Sequence, residues 1–522
     1  MHRERFESQR AVVLLFALCV AVRVYLFFFT FVIARDSTTY LAMAEAFLEG
    51  RIGDALHYIT LPFYPILVAG IQSVVGNWEI AGKLVSGMAG VGTFFPLYFL
   101  GNRVFGHKAT LISLLCLAIH PYLVEYSAEV LSESTFIFLS VLGIWMLWEG
   151  WNRKSHVLCG ASGLILGLSC LTRAEGLIWL GAICIVPLCI VFFARGARVD
   201  KRATCVSFGI AAMVFLIVVS PYVIFLKSLT GELSVRQGGA VAIMKGTGHS
   251  AGGLSTGGAF LALLSQPWVL LKKVGWNLSR LIPLLPKTIH YPFFFFLMVG
   301  VLTRRTKTNS LGELYMAVVC IVYVLGHCFL YLKVRYLLPV VPLALSWAGV
   351  GFWKIVEWAE DFSAHRHFKL LQGRSTPFFL VALLCILAAT TLPKTLQPRR
   401  VAKLDRKDVA GRIAALSEQR LVVLASDPRI AFYANAKSVG LPKVKTFDGF
   451  LEYALNNKVD IIVMNKERTI EKKRLGRIVR LFFENSTHPS LQFLFAYPAE
   501  GESKPPHFYA YRLVPSENRS SR

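Results

Sequence analysis

The chain has 522 residues, of which 55% are hydrophobic and 17% charged, and its mean hydropathy is +0.54. This composition excludes a purely water-soluble fold, because several apolar runs are each long enough to cross a bilayer as a helix. The net charge of +25 arises mostly between these runs and in residues 394–522, which hold 24 Lys and Arg against 13 Asp and Glu. Anionic lipid explains this distribution better than a nucleic-acid partner, so no nucleic acid is predicted.

The apolar runs predict a polytopic α-helical membrane protein with about eleven transmembrane helices and a cytoplasmic N-terminus. The short turns predicted inside hold eleven Lys and Arg, whereas the short turns predicted outside hold three, in agreement with the positive-inside rule. The ten cysteines lie in or beside apolar runs and predict neither a disulfide framework nor a zinc cluster. The predicted spans are 11–33, 80–100, 109–122, 128–149, 157–172, 176–193, 205–227, 286–303, 311–332, 336–353 and 376–392.

An odd number of spans places the outer loops 34–79 and 228–285 and the tail 394–522 on the outer face. We therefore expect a transmembrane domain over 1–393 and a small extracytoplasmic α/β domain over 394–522. The second outer loop is rich in glycine, which favours either a mobile lid or an idle linker. The tail is predicted to contain strands at Leu421–Ala425, Asp460–Met464, Leu491–Ala496 and His507–Arg512 and a helix at Phe447–Asn457.

Several acidic residues lie at the predicted outer interface. Asp36 directly follows the first span and precedes Tyr40 by one helical turn, although it can equally be the N-cap of a short helix from Ser37. Glu125, Glu129 and Glu133 have the i, i+4, i+8 spacing that places them on one face of the predicted fourth helix. Glu133 falls inside an apolar run, where a carboxylate is paired, faces a wet cavity or has a function.

Two arginines are predicted in short turns on the same outer side, Arg173 and Arg335. Each could contact a lipid phosphate without any specific site. Together with Asp36 and Glu133, however, they have the composition that a site for a phosphorylated lipid and a hydroxyl nucleophile requires. The arginines would bind the phosphate, and a carboxylate would accept the proton.

A series of short segments carries a resemblance to a known family. The chain resembles the bacterial branch of the family 39 glycosyltransferases, which are membrane transferases related to protein O-mannosyltransferases and lipid A aminoarabinose transferases. The resemblance runs in order through most of residues 1–350 and implies the C-type glycosyltransferase fold. The segments that carry it are Arg35-Asp36 with Tyr40, Leu61-Pro62-Phe63-Tyr64-Pro65, Leu100-Gly101-Asn102-Arg103-Val104-Phe105-Gly106, His120-Pro121, Leu131-Ser132-Glu133 and Arg335-Tyr336-Leu337-Leu338-Pro339.

The resemblance implies inverting transfer of a sugar from a polyprenyl-phosphate donor to a lipid, glycan or protein acceptor. It also implies an inner (plasma) membrane location and a role in cell-envelope glycan assembly. Asp36 matches the family's first-loop aspartate, which is assigned as the base, and Glu133 matches a second active-site carboxylate. Arg335 matches an arginine that could stabilise the leaving phosphate. Further candidate substrate-binding residues are Arg173, Glu129, Tyr40 and Tyr336.

Some features depart from the named relatives or stay open. Thr60-Leu61-Pro62 lacks the lysine of the aminoarabinose transferases' Lys-Pro-Pro run, and Asp36-Ser37 replaces the Asp-Glu of the protein O-mannosyltransferases. A divalent metal is an open alternative, since some C-type transferases use one, but Asp36 and Glu133 alone do not specify it. No other cofactor is predicted. The alternative functions are a lipid-linked sugar flippase or transporter and a non-catalytic membrane scaffold.

Overall fold

The structure is a computed structural model that describes residues 2–58, 60–193, 200–231, 234–235, 239–244, 247, 255–303, 310–365, 375–470, 474–499 and 505–514. Five glycines of the second outer loop lie outside these residues: Gly238, Gly246, Gly248, Gly252 and Gly253. The chain divides into two compact units. The first unit comprises residues 1–28 and 40–397, and the second comprises residues 29–39 and 398–522.

The first unit consists of helices. Those of its N-terminal half are α1 (His2–Phe28), α2 (Ser37–Leu48, whose first residues belong to the second unit), α3 (Ile52–Leu56), α4 (Phe63–Val75), α5 (Trp78–Gly92), α6 (Phe94–Phe105), α7 (His107–Ile119), α8 (Pro121–Ser127), α9 (Glu133–Asn152), α10 (His156–Thr172) and α11 (Leu177–Phe193). Those that follow are α12 (Lys201–Thr230), α13 (Gly239–Met244), α14 (Thr256–Leu264), α15 (Pro267–Ile289), α16 (Tyr291–Thr303), α17 (Ser310–Phe329), α18 (Val334–Leu337), α19 (Val341–His365) and α20 (Ser375–Thr395).

The helices confirm the prediction of a polytopic membrane fold. Among the described residues, eight are long and apolar enough to cross a bilayer, and two bent pairs raise the number to ten. The bent pairs are α7 with α8, which turn by 55°, and α15 with α16, which turn by 108°. The predicted span 157–172 corresponds to α10, whose 17 residues make it a shorter apolar helix.

Glycines allow close approach where helices cross. A Cβ atom added at Gly351 of α19 would lie 1.8 Å from the carbonyl oxygen of Phe296, and one at Gly300 of α16 would lie 2.0 Å from that of Trp347. Only a residue without a side chain fits such a backbone separation, which is common where membrane helices associate. Large side chains of the two helices, such as Phe293 and Phe352, are buried in the same hydrophobic core.

Two expectations about individual helices are wrong. The first helix ends at Phe28 and not near residue 33, because residues 29–31 pair with the backbone of Arg399 in the second unit. The fourth span begins at Glu133, where a carboxylate in the first turn is favoured by the helix dipole. The predicted outer loop 228–285 contains most of α15, an amphipathic helix that carries basic residues beside an apolar face.

The second unit is an α/β domain, as predicted. Its helices are α21 (Asp405–Ala414), α22 (Pro428–Tyr433), α23 (Phe447–Asn456) and α24 (Arg474–Glu484). Its strands, β1 (Val422–Ala425), β2 (Lys437–Val439), β3 (Ile461–Asn465), β4 (Leu491–Tyr497) and β5 (Phe508–Leu513), form one sheet in the order β2-β1-β3-β5-β4. β1 is parallel to β2 and β3, whereas β5 is antiparallel to β3 and β4.

Alternating side chains of the sheet enter two separate cores. Leu424 and Ile462 pack on one face with Phe450 and Phe482 of helices α23 and α24. The neighbouring residues point to the other face, where Val423 and Ile461 pack with residues of α21 and α22. Both faces are therefore covered, and the parallel centre of the sheet is continuously apolar, as expected for a doubly covered sheet.

Candidate active site

The candidate site of the first unit is built around Glu133. This residue opens helix α9, and its side chain is only 2% exposed. Its Oε1 atom lies 2.7 Å from Nη1 of Arg173 and 3.7 Å from Nη1 of Arg335. A carboxylate buried this deeply requires compensation, and the two guanidinium groups supply it. Neither carboxylate oxygen accepts an aligned hydrogen bond from the described residues, so Glu133 keeps acceptor capacity for a substrate group.

Arg173 is held tightly in this cluster. It lies in extended conformation between α10 and the 3₁₀ turn Ala174–Gly176, and its side chain is 9% exposed. Besides facing Glu133, it donates hydrogen bonds to Ser132 Oγ at 3.3 Å and to Glu175 Oε1 at 3.1 Å. Because its donors face three fixed acceptors, Arg173 serves to orient Glu133 and to compensate its charge.

Arg335 has a different environment. It belongs to the single-turn helix α18, its side chain is 29% exposed, and its distance to Glu133 is 1 Å longer than that of Arg173. Its guanidinium carbon lies 5.2 Å from the centre of the Tyr336 ring, and its Nη2 donates to the Tyr336 hydroxyl at 3.4 Å. An arginine with partial exposure and a long ionic contact can turn toward an incoming anion at low cost.

Tyr40 links helix α2 to this cluster. Its hydroxyl lies 2.9 Å from Ser132 Oγ, next to Glu133 in the chain, and its ring packs edge-on against Tyr64 at 5.2 Å. The Tyr64 hydroxyl in turn lies 3.1 Å from Ser86 Oγ, and Ser86 donates to the Leu131 carbonyl at 3.0 Å. This chain of polar contacts fixes the residues that precede α9.

The contacts described above connect five of the seven residues selected from the sequence. Glu133, Arg173, Arg335, Tyr336 and Tyr40 form one connected cluster. Glu129 is buried but lies in the turn before α9, so the predicted stacking of Glu125, Glu129 and Glu133 on one helix face is wrong. Asp36 is exposed, directly precedes α2 and belongs to the segment 29–39 of the second unit.

Two residues of the site were not selected from the sequence. Glu175 shares Arg173 with Glu133, and its position two residues after the arginine was the available signal. His327 is buried and lies in near-parallel orientation to Tyr336, with 6.2 Å between ring centres. Its Nδ1 donates to the Tyr323 carbonyl at 3.0 Å, which leaves Nε2 as an acceptor. A lone histidine in an apolar helix gave no sequence signal that it would lie beside Tyr336.

No metal cluster accompanies these carboxylates in the described part of the chain. No group of three or more His, Cys, Asp or Glu residues there could hold a metal ion. The Glu133 cluster offers the chemistry of its own side chains. It has cations for an anion and acceptors for hydroxyl protons.

A family comparison and a fold comparison find known proteins similar to this chain. Residues 60–225 match the family described as dolichyl-phosphate-mannose-protein mannosyltransferase. ArnT from Cupriavidus metallidurans in the apo state has a similar fold, with a TM-score of 0.62, 13% identity and coverage of 96% of this chain and 97% of that chain. The same protein bound to undecaprenyl phosphate gives a TM-score of 0.61 at 13% identity, covering 97% of this chain and 98% of that chain.

An archaeal enzyme shares the fold as well. The oligosaccharyltransferase AglB from Archaeoglobus fulgidus, in complex with an inhibitory peptide and a dolichol-phosphate, has a TM-score of 0.58 and 13% identity, with coverage of 98% of this chain and 74% of that chain. The comparison with curated proteins finds no match. The resemblance to the C-type membrane glycosyltransferases is confirmed by the family match and by the fold of the whole chain.

Proposed function

We propose that this protein is an inverting glycosyltransferase that moves a sugar from a polyprenyl-phosphate donor to an acceptor hydroxyl on the outer face of the membrane. The observation that carries the proposal is the buried cluster of Glu133 with Arg173 and Arg335 in the helical unit. The two proteins of similar fold were solved with undecaprenyl phosphate and with a dolichol-phosphate, which supports a lipid-phosphate ligand for this fold.

The proposed reaction is a single displacement at the anomeric carbon of the donor sugar. The acceptor oxygen forms a bond to this carbon while the bond between the carbon and the phosphate oxygen breaks, so the configuration is inverted. Asp36 takes the proton of the acceptor hydroxyl as general base. Polyprenyl phosphate leaves with both electrons of the broken bond, and the guanidinium of Arg335 stabilises its additional negative charge.

The other residues of the cluster position the donor. Glu133 accepts hydrogen bonds from sugar hydroxyls, and Arg173 holds its carboxylate in place. Tyr336 offers an aromatic face beside Arg335, and Tyr40 fixes the start of α9 through Ser132. The donor is already activated by its phosphate, so positioning and charge stabilisation supply most of the rate increase. Under this proposal the protein spans the inner membrane and residues after about Pro393 lie outside.

The test is sugar transfer in membranes that contain the wild type or Asp36→Asn, with a panel of radiolabelled polyprenyl-phosphate sugars. Label is followed into the lipid, glycan and protein fractions. Loss of a general base should lower the rate by at least about 100-fold. The matched control is Asp54→Asn, since Asp54 is an exposed carboxylate of the same predicted loop that pairs with Arg51 at the surface. Its rate should equal that of the wild type.

The outcome also separates the alternative functions. If Asp36→Asn transfers sugar as fast as the wild type, Asp36 is not the base. If the wild type moves no label from any donor but takes up lipid-linked sugar into vesicles, the protein is a transporter and the proposed reaction is wrong.

A further inference from the structure

The segment that carries Asp36 is part of the second unit. Residues 29–39 group with residues 398–522, although some 360 residues separate the two stretches in the sequence. The Arg399 N–H donates to the Phe29 carbonyl at 2.8 Å, and the Phe31 N–H donates to the Arg399 carbonyl at 3.2 Å. Thr30 and Arg399 thereby form a parallel bridge. The segment is attached by backbone pairing as well as by side chains.

Both backbone groups of Ile33 are bound by side chains of helix α22 in the same unit. Its N–H donates to the Tyr433 hydroxyl at 2.9 Å, and its carbonyl accepts from Arg429 Nη1 at 3.4 Å. Val32, Ile33 and Ala34 are buried, so these polar groups require partners within the protein. Two side chains of one short helix thus fix the peptide groups on either side of Ile33.

Arg429 is itself fixed by Asp427. Its Nε and Nη2 donate to the two oxygens of this carboxylate at 2.8 and 2.6 Å, which leaves Nη1 for the Ile33 carbonyl. Asp427 is fully buried and also accepts from Arg406 at 3.4 Å. Burial alone would raise the pKa of Asp427, but the hydrogen bonds and charges of Arg429 and Arg406 lower it to about 2. The carboxylate is therefore ionised and holds the guanidinium plane in one orientation.

This attachment occupies the place where α/β domains bind ligands. Ser426 and Asp427 follow the carboxyl end of β1, and Asn465 ends the parallel neighbour β3. Ligands of open α/β sheets bind beside the carboxyl ends of parallel strands. In this chain Ile33 of the segment 29–39 contacts Arg429, two residues beyond Asp427. Asp36 follows Ile33 by three residues. It lies in a turn in which the Ser37 N–H donates to the Ala34 carbonyl at 3.2 Å.

We propose that Arg429 and Tyr433 are positioning residues that hold the Asp36 loop through the backbone of Ile33, so that the second unit sets the geometry of the base. This inference rests on the proposed function, because it assigns to the second unit the placement of the proposed base. Arg406 provides the matched control for Arg429. It shares the carboxylate of Asp427, but its described contacts with Asp405, Asp427 and Phe508 do not include the segment 29–39.

The first measurement does not depend on activity. Hydrogen–deuterium exchange of peptides that cover residues 29–36 is compared in lipid nanodiscs for the wild type, Tyr433→Phe, Arg429→Gln and Arg406→Gln. Tyr433→Phe removes the hydroxyl that accepts the Ile33 N–H and keeps the ring, so exchange in these peptides should be at least about tenfold faster. Arg429→Gln should act in the same direction, and Arg406→Gln should leave exchange there at the wild-type rate.

The second measurement is the kinetics of sugar transfer per amount of folded protein. Misplacement of a base should lower kcat by about tenfold in Tyr433→Phe and Arg429→Gln, while the KM for the lipid donor stays the same. Arg429→Lys should not restore kcat, because one ammonium group cannot pair with both Asp427 oxygens and reach the Ile33 carbonyl. Arg406→Gln should keep the wild-type kcat even where it lowers thermal stability.

The outcomes separate the inference from the proposed function. Wild-type exchange at residues 29–36 in both Tyr433→Phe and Arg429→Gln would overturn the attachment, whatever the activity. Faster exchange with unchanged kcat would overturn the positioning role. An equal fall of kcat in Arg406→Gln would show that the cluster only stabilises the domain. A wild type without transfer activity contradicts the proposed function, and with it the positioning of a base, while the exchange data still decide whether the attachment exists.

Discussion

Arg173 and Arg335 face the same carboxylate but have different surroundings, and this difference predicts different effects of removing them on stability. The Arg173 side chain is 9% exposed and compensates Glu133 and Glu175, whereas that of Arg335 is 29% exposed. Removing one partner of a buried ion pair leaves an uncompensated charge, which costs about 3–5 kcal/mol. A partly exposed pair at 3.7 Å is worth at most about 1 kcal/mol.

We therefore expect Arg173→Met to lower the free energy of unfolding by about 3–5 kcal/mol, while Arg335→Met lowers it by about 1 kcal/mol or less. Arg335→Met should nevertheless lose at least about 100-fold in sugar transfer, since it removes the cation proposed for the leaving phosphate. Thermal unfolding in nanodiscs and the transfer assay measure the two effects. Lys333→Met, which removes an exposed cation two residues away, is the control and should change neither.

The opposite pattern would change the assignment of roles. If Arg335→Met unfolds the protein and Arg173→Met folds normally but is inactive, Arg173 is the phosphate ligand. If both variants fold and transfer sugar like the wild type, the cluster has no part in the reaction.

At the scale of elements, a buried arginine stabilises the break between α7 and α8. Pro121 has no N–H, so the carbonyl of Leu117 lacks its helical partner. Arg23 of α1 donates to the Leu117 carbonyl at 3.3 Å, to the Ala118 carbonyl at 3.5 Å and to the Cys19 carbonyl of its own helix at 3.1 Å. The partial negative charge at the C-terminal end of α7 favours a cation at this position.

Replacing this arginine should destabilise the helical unit. Arg23→Met leaves the buried Leu117 carbonyl without its donor, and we expect a loss of about 1–3 kcal/mol in the free energy of unfolding. Gln9→Met, at an exposed position of the same helix, should change it by about 0.5 kcal/mol or less. Thermal unfolding of both variants in nanodiscs provides the measurement. An Arg23→Met protein as stable as the wild type would mean that burying the guanidinium costs as much as its hydrogen bonds contribute.

The elements that the sequence predicts well are those with strong local patterns. β1, β3, β4 and β5 lie within one residue of their predicted ends, because each is a short apolar run bounded by polar or turn residues. β2 has three residues, of which Lys437 and Ser438 are exposed, so it has no such pattern. The break before Glu133 falls within the predicted span 128–149, where no proline or glycine before Glu133 indicates it.

For the candidate site too, the sequence predicts local features but not contacts between distant elements. Glu133, Arg173 and Arg335 could be selected from the sequence as candidate site residues, because charged side chains are rare in or beside apolar runs. Their contacts could not be predicted, because they join three elements that are up to about 200 residues apart in the sequence. The attachment of Ile33 to helix α22 is still more distant and is made by backbone groups that any residue would provide.

At the scale of the whole molecule, the distribution of cysteines and charges is the basis for the proposal that the second unit is external. All ten cysteines are free in the structure, and they lie before residue 398, so the second unit contains no thiol that an oxidising compartment would affect. The described turns predicted inside carry several cations, including Arg103, Lys108, Arg153, Lys154 and Lys201. Arg195, Arg198, Arg304, Arg305 and Lys307, which contribute to the same bias, lie outside the described residues.

This charge bias predicts which side of the membrane each surface faces. In a protein whose exposed cysteines Cys184, Cys205 and Cys385 are replaced by Ala, a single cysteine is introduced as Gln419→Cys or His156→Cys, both at exposed positions. A membrane-impermeant maleimide added to intact cells should label Gln419→Cys, because residues after about 393 are expected outside. His156→Cys, at the start of α10 just after the turn with Arg153 and Lys154, should be labelled only after the membrane is permeabilised. Reversed labelling would place Asp36 and the Glu133 cluster toward the cytoplasm, where transfer to an external acceptor is impossible.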